Sequence, residues 1–85
     1  MYKVTIRKQA QKKLASLTEK QRIPISEAVR FLGLNPDDER LDIKKLVGRS
    51  GYRVRVGSWR IIYERNDYLR IISIEKIGAR GDIYK

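Results

Sequence analysis

From Tyr52 to Ile77 apolar and charged residues tend to alternate, with breaks at Gly57-Ser58 and Asn66-Asp67. Period two with such short breaks leaves few folds open, because strands joined by tight turns pair antiparallel. Tyr52, Val54 and Val56 share one face, which sends Arg53 and Arg55 to the other. Gly57-Ser58 marks a tight turn. Trp59, Ile61 and Tyr63 then alternate with Arg60, and after Asn66-Asp67 the stretch Tyr68 to Ile77 reads as the longest and most apolar strand. Residues Lys44 to Val47 read as a short edge strand.

The first half follows a different period. Tyr2 to Ile6 alternates as a short strand, with Val4 and Ile6 on one face. Ala10, Leu14 and Leu17 then recur at helical spacing across Arg7 to Leu17. Thr18 with Gln21 three residues on forms the capping box of a second helix, in which Pro24 is expected to cause a kink or a restart. Ile25, Ala28, Val29 and Leu32 form its apolar stripe, and Gly33 with Asn35-Pro36 stops it. The expected fold is α+β and a single domain over residues 1–85. An N-terminal strand would be followed by two helices packed on one face of a small antiparallel sheet of three to four further-paired strands.

The chain has neither Cys nor His. Disulfides, thiolate zinc sites and the commonest general base are therefore excluded, and any chemistry must use Arg, Lys, Tyr or a carboxylate. The acidic residues form no obvious ligand cluster, so neither a metal nor another cofactor is expected. No apolar run reaches the roughly 18 residues that a membrane span needs. The N-terminus lacks the apolar segment of a secretory signal, and the expected location is the cytoplasm.

The net charge is +10, divided as +3 over residues 1–43 and +7 over residues 44–85. Such a field favours a polyanionic partner. If neighbouring strands share faces, Arg53, Arg55 and Arg60 gather on one exposed surface opposite the helices. An ordinary solvated sheet face mixes signs, since like charges across a strand pair repel. An arginine face instead suits phosphates, whose oxygens match the guanidinium fork. The candidate phosphate-binding residues are Arg53 and Arg55, Lys44, Lys45 and Arg49 just before them, and Lys85 at the tail.

Gly78 permits the tail to turn towards that face, which would bring Arg80 and Tyr84 beside Arg60. RNA carries its own nucleophile, the 2′-OH, so cleavage there needs only positioning, proton transfer and charge stabilisation. DNA would demand an activated water and, with it, a metal. The residue supply therefore prefers RNA. More ordinary roles are expected elsewhere: Trp59 packs against the core, Tyr52 and Tyr63 are structural, Glu64 and Glu75 pair with neighbouring cations, and Lys8, Lys12 and Lys13 line a solvated helix face.

The ordered set Lys45-Leu46-Val47-Gly48, Gly51-Tyr52-Arg53-Val54-Arg55-Val56, Trp59-Arg60-Ile61-Ile62-Tyr63 and Ile77-Gly78-Ala79-Arg80-Gly81-Asp82-Ile83-Tyr84 resembles the RelE family of bacterial toxins. The likeness spans nearly the whole chain. It implies a toxin of a type II toxin–antitoxin system, an endoribonuclease that cuts messenger RNA in the ribosomal A site without metal. It implies as partners the ribosome, mRNA and a cognate antitoxin whose acidic or amphipathic segment wraps the toxin. The toxin alone would be a monomer, and with its antitoxin a hetero-oligomer. Arg60 then resembles the transition-state arginine and Arg80 the arginine that assists the leaving group. Tyr84 resembles the tyrosine that acts as base or stacks on the substrate, so the candidate catalytic set is Arg60, Arg80 and Tyr84. Arg53 and Arg55 stand where the family has paired lysines, keeping charge but losing an amine able to exchange protons. No counterpart of the longer C-terminal helix of relatives is expected after Tyr84. Two alternatives stay open: a ParE-like inhibitor of DNA gyrase, and a non-catalytic ribosome- or RNA-binding relic.

Overall fold

The computed structural model describes residues 1–79. Over these the chain runs β1 (Lys3–Ile6), α1 (Lys8–Ser16), α2 (Glu19–Leu34), β2 (Asp42–Lys45), β3 (Tyr52–Val56), β4 (Trp59–Asn66) and β5 (Ile71–Ala79). The capping box opens α2 as expected: Gln21 N–H donates to Thr18 Oγ1 (3.2 Å) and Thr18 N–H to Gln21 Oε1 (3.1 Å). Pro24 does not make the helix restart. Its fixed φ is helical, and lying in the second turn it deprives only the Lys20 carbonyl of an intrahelical donor. The buried stripe Ile25, Ala28 and Leu32 begins directly after it. At the far end Asn35 N–H closes the helix on the Phe31 carbonyl (2.8 Å).

The five strands form one sheet in the order β1-β5-β4-β3-β2. The pairs β2–β3, β3–β4 and β4–β5 are antiparallel, as the alternation and tight turns require. β1 lies parallel to β5, with Val4 opposite Ile72 and Ile6 opposite Ile74, so the sheet is mixed. No turn announces that pairing, because it joins opposite ends of the chain. The edge strand β2 begins two residues earlier than the sequence pattern suggests. Leu46 N–H already closes the following loop by donating to the Gly51 carbonyl (3.0 Å).

Both helices lie on one face. Ala10, Ile25, Ala28 and Leu32 pack against Val54, Ile61, Tyr63, Ile72, Ile74 and Ile77. Each fully buried Ile or Leu there contributes about 1.5–3 kcal/mol of burial. Tyr2 N–H donates to the Gly33 carbonyl (2.7 Å), and a β-carbon at Gly33 would come within 2.9 Å of Val4 Cγ2. Glycine at that position lets α2 and β1 approach this closely. No helix among the described residues is long and apolar enough to cross a membrane.

A cluster around Arg65 pins the α2–β2 loop and the β4–β5 turn to the sheet. Its guanidinium donates to Asp37 (3.0 Å), Asp67 (2.7 Å) and the Tyr2 hydroxyl (3.4 Å). Asp37 first, then Asp67 and Tyr2, raise its pKa. Asp67 is held below the usual carboxylate range by Arg65 and then by the Tyr2 hydroxyl.

Candidate nucleic-acid interface

The register decides which side chains share the face turned away from the helices. Arg55 of β3 lies opposite Arg60 of β4, and Arg53 opposite Ile62. On the other side of β3, Asp42 lies opposite Arg55 and Lys44 opposite Arg53. On β5, Gly78 lies opposite Arg60 and Lys76 opposite Ile62. One sheet surface thus carries Lys44, Arg53, Arg55, Arg60 and Lys76. Lys45 lies opposite Tyr52 and so takes the other side of the edge strand, and Arg49 stands exposed in the β2–β3 loop.

Direct opposition of Arg55 and Arg60 is unfavourable in the absence of an anion. Asp42 offsets part of it, with its carboxylate 3.9 Å from Arg55 Nε. Among the described residues, Glu64 and Glu75 are engaged by other groups. Glu64 accepts from the Ser50 hydroxyl (2.9 Å), while Glu75 accepts from Arg7 (2.6 Å) and the Ser73 hydroxyl (3.2 Å). Further round the molecule, Asp38 is pulled down to about 2, first by the Arg40 side chain and then by its backbone N–H. Glu75 and Asp38 are thus paired with Arg7 and Arg40. Among the described residues Asp42 and Glu64 are outnumbered on this face by Lys44, Arg53, Arg55, Arg60 and Lys76.

One expectation is corrected. Arg53 does lie on the face opposite the core, but it is not exposed: only 5% of its surface is accessible. Its Nη1 has no hydrogen-bond partner among the described residues. Alternation sets which way a side chain points, whereas accessibility depends on position across the sheet. The residue opposite Arg53, Ile62, is itself buried, whereas Arg55 faces Arg60 and Asp42. Arg55, nearer the β3–β4 turn and beside the short edge strand, stays exposed.

Other expectations fall out simply. Tyr63 is fully buried, stacked on Tyr52 with centroids 5.7 Å apart, and burial pushes its phenol up to about 12. That removes it as a base. Trp59 packs at the border of the core, with the Lys13 ammonium 5.9 Å from its ring centroid, while Lys8 and Lys12 are solvated. Glu75 finds a cation as expected, whereas Glu64 takes a hydroxyl. Arg80, Tyr84 and Lys85 lie outside the described residues. The sequence reading missed Lys76 and the Arg65 cluster. The doublet Glu75-Lys76 in an otherwise alternating strand was the available signal for the first; nothing local marks the second.

An array of guanidinium and ammonium groups on a sheet face can bind the oxygens of a phosphodiester chain and stabilise added negative charge on one phosphate. No family model matches the chain. It is 37% identical over 86 residues to RelE1 of Methanocaldococcus jannaschii, a protein named as a toxin, covering 99% of this chain and 96% of that one. The structure is similar to that of an archaeal RelE–RelB complex from Pyrococcus horikoshii. The TM-score there is 0.82 and the identity 35%, over 95% of this chain and 97% of that one. A RelB–RelE antitoxin–toxin complex from Methanococcus jannaschii matches with a TM-score of 0.75 and 28% identity, over 93% of each chain.

Proposed function

Since the chain belongs to the RelE toxin family, we propose that it is an endoribonuclease that cuts messenger RNA in the ribosomal A site and is silenced by a cognate antitoxin. The carrying observation is the opposition of Arg55 and Arg60 on a face that also holds Arg53 and Lys44. In this reading the 2′-oxygen attacks the adjacent phosphorus. The new P–O bond closes a cyclic phosphate as the bond to the 5′-oxygen breaks. The 2′-OH gives up its proton and the 5′-oxygen gains one, so no metal is needed.

Arg60 stabilises the charge that builds on the phosphate, a role for which the guanidinium fork is suited. Arg55 and Lys44 hold the flanking backbone, Arg53 adds its charge from beneath that surface, and Arg49 and Lys45 extend the basic surface around it. Arg80 assists the leaving oxygen and Tyr84 takes the 2′-OH proton or stacks on the substrate, with Lys85 at a phosphate; these three roles rest on the sequence. The antitoxin's acidic or amphipathic segment complements a chain of net charge +10. The relatives solved with RelB support a partner of that kind.

The test is Arg60→Ala, expressed without antitoxin and followed by primer extension on translated mRNA. Loss of one preorganised charge donor costs about 10²–10³ in rate, so new 5′ ends and growth arrest should disappear while the circular dichroism spectrum is kept. A folded Arg60→Ala variant that still cuts ribosome-bound mRNA like the parent refutes the assignment. Intact mRNA with loss of supercoiling would favour gyrase inhibition instead.

A further inference from the structure

We propose that Lys76 is an RNA phosphate contact of the sheet face, holding the phosphate next to the one engaged by Arg60; this rests on reading that face as the RNA site. The placement of Lys76 is a consequence of a β-bulge. Tyr63 lies opposite Ile74 and Ile62 opposite Lys76, which leaves Glu75 as an extra residue in β5. Strict alternation after Ile72 and Ile74 would have turned Lys76 into the core and Ile77 out of it. The bulge reverses both: Ile77 is buried against the helices and Lys76 emerges among the arginines.

Among the described residues it is a cation without a paired anion. Lys76 is half-buried. Its neighbour Glu75 is already bound to Arg7 and Ser73, and Glu64 to Ser50. Among the described residues no carboxylate forms an ion pair with it. A partly desolvated ammonium beside like charges is unfavourable until an anion arrives. Two residues further along β5 is Gly78, which puts no side chain beside Arg60. Lys76 and Gly78 are about 7 Å apart along the strand, so a long lysine stem reaches a phosphate neighbouring that of Arg60. The ammonium acts as a point charge, complementing the bidentate arginines.

The experiment is fluorescence anisotropy of a labelled single-stranded RNA oligonucleotide with the purified chain, titrated over salt concentration. One phosphate contact fewer lowers the slope of log K against log salt by about 0.7 and weakens binding about fivefold at 0.1 M salt. Lys76→Met should show both changes, and Lys76→Arg neither. Lys20→Met, an equal charge loss at an exposed position in the first turn of α2, should leave the slope unchanged. If Lys76→Met and Lys20→Met behave alike, Lys76 is no contact. A parent that cuts mRNA, with a Lys76→Met variant that binds with the parent's slope, sinks this inference alone. A parent that neither binds RNA nor cuts it sinks the function reading and this inference with it.

Discussion

Replacing Arg53 by Met should make the fold more stable and the protein a poorer RNA binder. Arg53 is 5% accessible and leaves Nη1 without a partner among the described residues. A buried polar group in that state costs about 1–3 kcal/mol, and more when charged. Methionine keeps an unbranched stem in the same space and removes the charge, but gives up the contacts of the rest of the guanidinium. We therefore expect a net gain of about 1 kcal/mol, equivalent to about 4–8 °C in Tm for a domain of this size. Thermal unfolding followed by circular dichroism at fixed pH and salt measures it. Arg55→Met serves as control: its exposed pairing with Asp42 at 3.9 Å is worth only about 0–1 kcal/mol, so its Tm should move little. In RNA anisotropy Arg53→Met should weaken binding and lower the salt slope less than Arg55→Met does, since only 5% of Arg53 is accessible to a phosphate. Stability would then be traded for binding at a single position. A Tm that falls by several degrees in Arg53→Met refutes the reasoning, since the guanidinium would then be a satisfied part of the fold.

Two further outcomes follow from local geometry. Gly51→Ala should destabilise the fold by about 1–3 kcal/mol, because Gly51 has φ +107° and an added β-carbon would lie 3.0 Å from Glu64 Oε1 and 3.1 Å from the Tyr63 carbonyl; urea denaturation reads the loss, and an unchanged midpoint would show that the β2–β3 loop gives way freely. The depressed pKa of Asp38, about 2 against an ordinary 3.8, contributes stability that is present above the ordinary value and lost as pH falls through the folded one. Arg40→Gln should therefore flatten the decline in urea midpoint between about pH 4.5 and pH 2, and equal declines in parent and variant would contradict the pairing.

Much of the fold was legible because it rests on local rules. Thr18 and Gln21 satisfy each other's backbone donors within one helical turn, so any chain with that spacing announces a helix start. Gly57-Ser58 and the alternation around it specify the β3–β4 hairpin and put Arg55 and Arg60 on a common side. Whether α2 would run on through Pro24 or restart was left open by the sequence, because local propensity favours a break there while burial of Ile25 and Leu32 favours the helix.

What the sequence determined by itself was direction: period two sent the arginines of β3 and β4 away from the core, and the lack of histidine and cysteine limited what they could do. The tertiary structure decided adjacency and depth. Only pairing between distant segments brought β1 alongside β5 and inserted the bulge that turned Lys76 to the arginine face. The tertiary structure likewise left Arg55 in solvent and Arg53 with only 5% of its surface accessible. Alternation is a property of one strand, whereas burial and charge clustering are sums over neighbours that no single strand contains.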